Sequence, residues 1–307
     1  MNFKSIKYGI THWRASVIYL LSYLRFLDDK TYLKIKYRLE TRKKLNLKDP
    51  KEFNEKLQWL KLYNRDPEYT KLVDKYEVRE HIVRNIGEQY LIPVLRLWDR
   101  VEDIDFDTLP EQFVLKCTHD SGSVVICRDR KTFDIEKAKK RLKKHLKKSM
   151  FWWGREWPYK NVKPRIIAEQ YMEDDQTSEL RDYKFFCFGG EVKALFIASD
   201  RQTAGEETKF DFFDMDFNHL DIRNGHPNAK VPPAKPEKFD EMRQLAEKLC
   251  VGFPHVRVDF YEVNGRVYFG EMTFAHNCGM VPFEPDEWNF TFGSWIELPK
   301  PYEPNQK

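Results

Sequence analysis

The chain contains 307 residues, of which 41% are apolar and 33% charged, and its formal net charge is +4. This composition argues against intrinsic disorder and is typical of a soluble globular protein. The length exceeds that of a typical single domain and predicts two or three lobes with their own cores. Only the last residues, from Pro299 to Lys307, lack an apolar pattern and are expected to form a tail.

The cysteines are odd in number, widely spaced and free of any C-x-x-C pair. This usage predicts reduced thiols in a cytoplasmic chain, and argues against a disulfide framework or a structural zinc site. The five cysteines are Cys117, Cys127, Cys187, Cys250 and Cys278.

Positive charge is concentrated in residues 1–50, which hold twelve Lys and Arg against four Asp and Glu. The apolar run from Val17 to Leu27 is eleven residues long and is interrupted by Arg25, whereas a bilayer-spanning helix needs about 20 residues. Asp28 and Asp29 follow without a small-residue cleavage site, so a signal peptide is not indicated. We predict a basic amphipathic helical segment that lies on an anionic membrane face, docks a partner or packs on the protein itself.

Two helices are predicted after this segment. The first begins at Asp49-Pro50 and continues until Pro67 breaks the apolar pattern. The second extends from Leu72 to Ile86 and is closed by Gly87.

From about residue 90 the pattern becomes mainly strand-like. A polar turn with one glycine, Gly122, separates two of the strands and has the geometry of a hairpin that closes over phosphates. Helices are predicted at about 134–149 and 236–250. Helices first, followed by consecutive hairpins, predict an α+β fold and not a parallel doubly wound sheet. Strands are predicted at residues 90–95, 112–116, 124–127, 165–172, 182–188, 191–198 and 210–213.

The most informative stretch is a pair of strand-like runs, 257–261 and 267–273, around an Asn264-Gly265 turn. This pattern predicts a β-hairpin on which the carboxylates of Asp259 and Glu271 converge. Carboxylate oxygens suit Mg²⁺, which usually bridges one or two of them to nucleotide phosphates. The hairpin is therefore interpreted as a metal-nucleotide site, with a surface hairpin carrying solvated charges as the alternative. ATP would not bind through a P-loop, because the chain contains no G-x-x-x-x-G-K-[ST] motif.

Six short motifs follow one another in the order Asp-Lys, Phe-Val-Leu-Lys, Ile-Ala-Glu-x-Tyr-Met, Arg-Asp-Tyr-Lys-Phe-Phe, Arg-Val-Asp-Phe and Phe-Gly-Glu-x-Thr. This order resembles the ATP-grasp superfamily. Residues 53–61, 152–159 and 183–190 look more narrowly like the TupA-like branch, which is associated with teichuronopeptide and other bacterial surface-polysaccharide biosynthesis. The similarity covers about residues 30 to 295.

The resemblance implies an α+β ATP-grasp fold, in which two α+β lobes clasp ATP, with a helical N-terminal region. We accordingly predict five parts. They are a basic amphipathic helical segment (1–50), an N-terminal helical or α-β subdomain (51–112), a small lobe (113–172), a large lobe with the metal site (173–299) and a tail (300–307).

The resemblance also implies where ATP binds. Lys116 and Lys184 would contact the phosphates, and the turn Ser121-Gly122-Ser123 would cover them with backbone N–H groups. Glu169 to Met172 would form the hinge that holds adenine, with Glu169 accepting a hydrogen bond from the adenine amine, and Glu173 would contact the ribose. The implied nucleotide-binding residues are Lys75, Lys116, Ser121, Gly122, Ser123, Glu169, Gln170, Tyr171, Met172, Glu173 and Lys184.

The implied catalytic residues are Arg257, Lys116 and Lys184, with Arg257 stabilising charge at the transferring phosphoryl group. Asp259, Glu271 and Thr273 would bind Mg²⁺. Relatives commonly have Asn at the position of Thr273, so metal binding is expected to rest on fewer side chains. The phosphate turn also has one glycine where many relatives have more.

A site of this kind activates a carboxylate as an acyl phosphate, which an amine then attacks to give an amide. The expected partners are a carboxylate-bearing glycan or its precursor, an amine or amino acid, and a peripheral contact with the inner membrane face or with polysaccharide-assembly proteins. Nucleic acid is not expected. The alternatives are a kinase, a glycosyltransferase or a non-catalytic binding protein. No clear D-x-D motif is present, because Asp214-Met-Asp216 fits the letters but also suits a strand end beside a turn. Candidate substrate contacts are His119, Arg155, Trp157, Arg181, His276 and Asn277.

A basic run at residues 137–148 holds eight Lys and Arg and no acid, beside Trp152, Trp153 and Trp157. The expected interpretation is a solvated helix face. The alternatives are stacking and phosphate contacts with a nucleic acid, or attraction of a polyanionic, uronate-bearing glycan to the lysines and aromatic platforms.

Overall fold

The computed structural model of the protein describes residues 13–175, 180–200 and 207–303. The first twelve residues of the predicted basic segment and the last four of the predicted tail lie outside the described residues. The helices of the described part are α1 (Trp13–Leu21), α2 (Asp29–Thr41), α3 (Phe53–Tyr63), α4 (Glu68–Val73), α5 (Val78–Asn85), α6 (Ile135–Leu146), α7 (Met150–Gly154), α8 (Phe239–Leu249) and α9 (Glu287–Ser294).

The strands form two sheets, and every strand pairing within the described residues is antiparallel. The predicted α+β class is therefore confirmed. The strands are β1 (Val94–Trp98), β2 (Phe113–Cys117), β3 (Val125–Cys127), β4 (Ile166–Gln170), β5 (Asp182–Phe188), β6 (Glu191–Ser199), β7 (Lys209–Phe213), β8 (His219–Leu220), β9 (His255–Val263) and β10 (Arg266–Thr273).

The smaller sheet has four strands in the order β1-β4-β2-β3. Helix α6 covers one face, because Ala138, Leu142 and His145 recur at helical spacing and are buried, whereas most of its lysines are exposed. Leu142 joins a core with Leu115 and Ala168 of the sheet. The basic run is thus the outer face of a helix that supports the small sheet.

The larger sheet has six strands in the order β10-β9-β5-β6-β7-β8. Helix α8 packs on one face, and α3 and α9 pack on the other. Strand β5 is buried along its whole length because it lies between these two layers. The hairpin between β9 and β10 turns at Asn264 and Gly265, with φ of 50° and 71°. Both residues are in the left-handed region that a two-residue hairpin turn requires, so the predicted Asn-Gly hairpin is confirmed.

The predicted helix from Leu72 to Ile86 is wrong, because the chain forms two helices, α4 and α5, with a turn between them. The Oδ1 atom of Asp74 accepts the backbone N–H of Tyr76 at 2.7 Å and that of Glu77 at 3.1 Å. These local side-chain bonds compete with helix continuation. Lys75 therefore lies in a turn and not in a helix.

A pH dependence of stability follows from His255, which begins β9, is 2% exposed and bonds through Nδ1 to the Cys187 carbonyl at 2.9 Å. Burial lowers the pKa of His255 from 6.5 to about 3. Between pH 6.5 and the lowered pKa, His255 is protonated in the unfolded chain but stays neutral in the folded chain. The free energy of unfolding therefore falls by up to about 1.4 kcal/mol for each pH unit of acidification. We expect the free energy of unfolding in urea to decrease from pH 7 to pH 5, and to decrease less in His255→Asn. Equal slopes for the two proteins would contradict this assignment.

Candidate functional site

Charged side chains collect on the larger sheet where β5, β9 and β10 meet. Lys184 lies opposite Asp259, and Asp259 lies opposite Glu271. The second pairing follows a β-bulge at Gly270, where an added Cβ would lie 3.0 Å from the Asp259 carbonyl oxygen. The absence of a side chain at Gly270 thus permits the close approach that places the two predicted carboxylates side by side.

Arg257 binds both carboxylates. Its Nε and Nη2 atoms donate to the two oxygens of Asp259, each at 2.7 Å, in a bidentate pair. Nη2 also donates to Oε1 of Glu271 at 3.0 Å and to Oγ1 of Thr273 at 3.0 Å. These contacts fix the guanidinium at the centre of the cluster.

A histidine completes the cluster around Arg257. The Nη1 atom of Arg257 donates to Nδ1 of His276 at 2.7 Å, and Nε2 of His276 lies 2.8 Å from Oδ1 of Asn224. Burial and the charge of Arg257 keep the pKa of His276 well below its ordinary value. His276 is therefore neutral, with Nδ1 free of a proton and Nε2–H donating to Asn224.

The opposite charges determine the ionisation of Glu271. Partial desolvation by the surrounding protein would by itself raise the pKa of Glu271, but the charges of Lys184, Arg257 and Lys75 lower it to about 2. Lys184 donates to Asp182 at 3.0 Å and also contacts Asp259. Because the side chain of Glu271 is 41% exposed, the cluster presents an ionised and accessible carboxylate.

The smaller sheet contributes a second set of charges. Nζ of Lys116 on β2 lies 2.5 Å from Oε2 of Glu169 on β4. Nζ of Lys75 donates to the Asp120 carbonyl at 2.5 Å. Burial lowers the pKa of Lys75, while the charge of Glu271 on the other sheet opposes that shift. Lys75 thus lies in the electrostatic field of both sheets.

A cleft between the two sheets contains Lys75, Lys116 and Glu169 and borders Gly270 of the hairpin. Its walls combine aliphatic and aromatic side chains with the cations Lys75, Arg79 and Lys116, a mixture that suits a ligand with an apolar part and a negatively charged part. The lining residues are Lys75, Val78, Arg79, Leu91, Ile92, Lys116, Glu169, Tyr261, Phe269 and Gly270.

The polar turn after β2 is stabilised by buried hydrogen bonds of its own side chains. Asp120 is 2% exposed, and its Oδ1 accepts the Ser123 hydroxyl at 2.6 Å. The Ser123 Oγ in turn accepts the backbone N–H of Cys117 at 2.8 Å. Asp120 Oδ2 contacts Nδ1 of His145 on α6. Gly122, with φ of 90°, is the turn position that favours glycine.

The same turn is also held from outside. Arg141 of α6 donates to the Gly122 carbonyl at 2.7 Å. On the other side, the backbone N–H of Lys75 donates to the Thr118 carbonyl at 3.0 Å. The predicted phosphate turn, Ser121 to Ser123, is thus attached to α6 and to the turn that carries Lys75.

The predicted hinge, residues 169–172, begins at the end of β4 and continues beyond it. Gln170 donates its backbone N–H to the Pro93 carbonyl at 3.0 Å. Tyr171 accepts from Arg128 at 2.9 Å and donates to Glu173 at 3.0 Å, while Met172 is half-buried. The carboxylate of Glu169, which was predicted to accept from the adenine amine, pairs with Lys116 in this structure.

The predicted substrate residues divide into two groups. Arg155 is 1% exposed and lies over the rings of Tyr32 and Trp152, and Trp157 lies beneath Arg65. These two residues hold the N-terminal helices against the body, and they are not among the contacts of the Arg257 cluster.

The remaining predicted substrate residues are His119, Arg181, His276 and Asn277. His119 bonds through Nε2 to the Lys148 carbonyl at 3.1 Å. Asn277 is exposed and donates to Asn224 at 2.8 Å. Arg181 is half-buried just before β5. The structure therefore brings His276 and Asn277 together at Asn224, beside Arg257.

The D-x-D letters at Asp214-Met-Asp216 form a turn. Oδ1 of Asp214 accepts the backbone N–H groups of Asp216 at 3.0 Å and Asn218 at 2.8 Å, and Oδ2 accepts the Asn218 amide at 2.9 Å. The carboxylate is thus used within the chain, as expected for a strand end beside a turn.

The donor set on the hairpin fits Mg²⁺ in chemical type. Asp259, Glu271 and Thr273 offer carboxylate and hydroxyl oxygens within one cluster. Oε2 of Glu271 makes no hydrogen bond within residues 13–175, 180–200 and 207–303. Both oxygens of Asp259 are bound by Arg257 and Lys184, so a metal at Asp259 would share them with these cations. No cluster of three or more His, Cys, Asp or Glu with metal-site geometry occurs in the described part of the chain.

The comparison with protein families matches residues 55–297 to the model described as TupA-like ATPgrasp. The comparison with curated proteins gives no match.

Solved structures similar to this chain include three ligases. The D-alanine–D-alanine ligase from Bacillus anthracis is 17% identical, covering 66% of this chain and 57% of that chain, with a TM-score of 0.38. The ATP-grasp ligase PsnB with its minimal precursor is 9% identical, covering 88% and 66%, with a TM-score of 0.39. The D-alanine–D-alanine ligase from Helicobacter pylori is 13% identical, covering 81% and 70%, with a TM-score of 0.39. The first two are matched over less than two thirds of their length, and these scores add nothing to the family match.

Proposed function

This chain belongs to the TupA-like ATP-grasp family, and from that premise we propose that it is an ATP-dependent carboxylate–amine ligase. The observation that carries the proposal is the cluster around Arg257. One guanidinium is bound by Asp259 and Glu271, and a cleft lined by Lys75 and Lys116 borders the same hairpin. Catalysis of phosphoryl transfer needs positioned cations and accessible carboxylates of this kind.

The proposed reaction has two steps. A carboxylate oxygen of the first substrate attacks the γ-phosphorus of ATP, the bond to the bridging oxygen breaks, and ADP leaves with that oxygen. The nitrogen of the amine then attacks the acyl carbon, the bond to phosphate oxygen breaks, and the amine loses a proton to solvent or phosphate. The products are an amide, ADP and phosphate.

The residues of the cleft have distinct roles in this proposal. Lys116 and Lys184 bind phosphate oxygens, and Lys75 adds a third cation near them. Arg257 stabilises the charge that develops on the transferring phosphoryl group, because its position is fixed before the reaction by four hydrogen-bonded neighbours. The hinge after β4 holds the base.

Asp259, Glu271 and Thr273 would hold Mg²⁺ in the loaded enzyme. Bound Mg²⁺ neutralises phosphate charge and polarises the transferring group. The ionised state of Glu271, with its pKa of about 2, suits it to a cation at neutral pH.

The substrate carboxylate is proposed to belong to a bacterial surface polysaccharide or its precursor. The exposed lysines of α6 favour an anionic polymer as substrate, because they lie on the same helix that binds the predicted phosphate turn through Arg141. Like charges along one helix attract a polyanion by long-range electrostatics.

The reaction is tested by incubating the protein with Mg²⁺, ATP, pooled amino acids and uronate-containing oligosaccharides. We expect ADP and phosphate to be released in equal amounts only when both pools are present, and the oligosaccharide to gain the mass of an amino acid less one water. ADP without phosphate, together with a phosphorylated product, would identify a kinase. Product formation without ADP would identify a different transferase and contradict the proposal.

A positioning role for Asp120 gives a separate prediction. Asp120→Asn removes the charged partner of His145 and Ser123, and charge-assisted hydrogen bonds contribute about 1.5–3 kcal/mol. We expect the KM for ATP to rise about tenfold or more with a smaller change in kcat, because the turn is no longer held in its binding shape. Glu136→Gln, at an exposed site on α6, is the control. An unchanged KM in Asp120→Asn would show that the turn does not depend on this contact.

A further inference from the structure

Exposed apolar side chains are concentrated near the N-terminal end of the described chain. Of the sixteen large apolar residues that are exposed in the described part, seven lie between residues 13 and 26, including Leu20 at 63% and Phe26 at 82% exposure. Single exposed apolar residues are ordinary, but a contiguous group marks an interaction surface. We name these seven the aromatic patch: Trp13, Val17, Tyr19, Leu20, Tyr23, Leu24 and Phe26.

The patch is presented by a packed element. Ile18 and Leu21 are the buried side of α1. Leu21 joins the core formed with Tyr32, Leu33 and Tyr37 of α2. The turn after α1 is also attached, because the Leu24 carbonyl lies 3.4 Å from Nη2 of Arg155. One side of this segment is therefore buried against the body, while the aromatic patch lies on the other side.

Positive charge borders the patch. Residues 13–27 contain Arg14 and Arg25 and no acid. On α2, Lys30, Lys34 and Arg38 are exposed at four-residue intervals, so they form one row along the helix.

Two acids, Asp28 and Asp29, follow the patch along the chain. Asp28 accepts the backbone N–H of Thr31 at 2.9 Å and caps α2. Asp29 accepts from Arg65 at 2.6 Å. Along residues 13–38 the exposed cations Arg25, Lys30, Lys34 and Arg38 therefore outnumber the two acids, and Asp29 is neutralised by Arg65.

We propose that the aromatic patch inserts into the interface of an anionic lipid bilayer, with the row of α2 cations on the lipid headgroups. Trp and Tyr favour the headgroup region, and lysines and arginines near it are attracted by anionic lipid. The contact is peripheral, since none of the described helices is long and apolar enough to cross a membrane.

A bilayer fits this surface better than a second copy of the chain. In a two-fold dimer the same patch packs against itself, so the cations of both copies, among them Arg25, would be brought to one interface. Like charges at such an interface oppose association. An anionic bilayer offers apolar depth and the complementary charge together.

The test uses the full chain and sedimentation with vesicles of phosphatidylcholine, with and without phosphatidylglycerol. We expect binding at least about tenfold stronger to the vesicles that contain phosphatidylglycerol, and weaker binding as salt is added. The double variant Leu20→Glu with Phe26→Glu should bind at least about tenfold more weakly, whereas Val231→Glu, at a site that is also 82% exposed, should bind as the wild type does.

Thermal unfolding of each variant verifies that it is folded. Failure of the wild type to bind anionic vesicles would overturn the proposal, as would unchanged binding by the folded double variant. A lipid-free dimer that the double variant dissociates would identify the patch as an interface between copies, and would overturn it as well. None of these outcomes depends on ATP turnover, so the result is separate from the test of the ligase reaction.

Discussion

Replacing Glu271 by glutamine is expected to reduce Mg²⁺-dependent ATP turnover about 10²–10³-fold, the size of effect seen when one preorganised electrostatic group is removed from an active site. Glutamine has nearly the same shape but lacks the charge that Lys184, Arg257 and Lys75 maintain on Glu271. The side chain is 41% exposed, so the loss of charge should leave the fold intact. The Mg²⁺ concentration needed for half-maximal rate should rise together with the loss of rate.

The measurement is ADP release as a function of Mg²⁺ concentration. Glu191→Gln is the matched control, because Glu191 is an exposed carboxylate on the same sheet that pairs with Lys193. Wild-type turnover by Glu271→Gln at every Mg²⁺ concentration would exclude Glu271 from the metal site.

Replacing Arg257 by alanine is expected to have the larger combined effect. Removing one partner of a buried ion pair costs about 3–5 kcal/mol, because the remaining charges stay buried. Arg257 is the shared donor to Asp259, Glu271 and Thr273, and the side chain of Asp259 is 1% exposed. We therefore expect a loss of unfolding free energy of this size, and a loss of turnover of at least about 10²–10³-fold.

Two further variants separate stability from catalysis. Arg257→Lys retains the positive charge but loses the bidentate geometry, so it should recover stability more than turnover. Adding Asp259→Asn to Arg257→Ala removes one of the carboxylate charges that Arg257 had neutralised and should restore part of the unfolding free energy, while turnover stays low. Denaturant unfolding and ADP release are measured on the same preparations. Wild-type turnover by folded Arg257→Ala would contradict the role assigned to the guanidinium.

Local sequence patterns predicted much of the fold and the centre of the site. Asn264-Gly265 required the left-handed pair of a two-residue turn, and alternating side chains then placed Asp259 and Glu271 on one hairpin. The bulge at Gly270 was not predicted, because a one-residue shift in register depends on close packing between strands. This shift places Glu271 opposite Asp259.

Long-range contacts explain what the sequence did not reveal. Asp120 and His145 are separated by 25 residues, and Asn224 lies 52 residues before His276. No local period connects such pairs. Asp74 interrupted the predicted helix through its own hydrogen bonds, and the only local signal was an Asp placed where it can cap a turn.

Burial also explains why a residue predicted to contact substrate has a structural role instead. Arg155 was predicted to contact substrate. It is instead 1% exposed beneath α2 and stacks on Tyr32. A sequence shows that a guanidinium and rings are near each other, but whether they face a ligand depends on which element covers them.

The most direct test of the account is calorimetric titration of the protein with a non-hydrolysable ATP analogue, in the presence and absence of Mg²⁺. The account predicts Mg²⁺-dependent binding that is at least about tenfold weaker in Lys116→Ala, because one charged hydrogen bond to phosphate is lost, and unchanged in Glu191→Gln. Absence of nucleotide binding by the folded wild-type protein would contradict the assignment of the cleft between the two sheets as an ATP site.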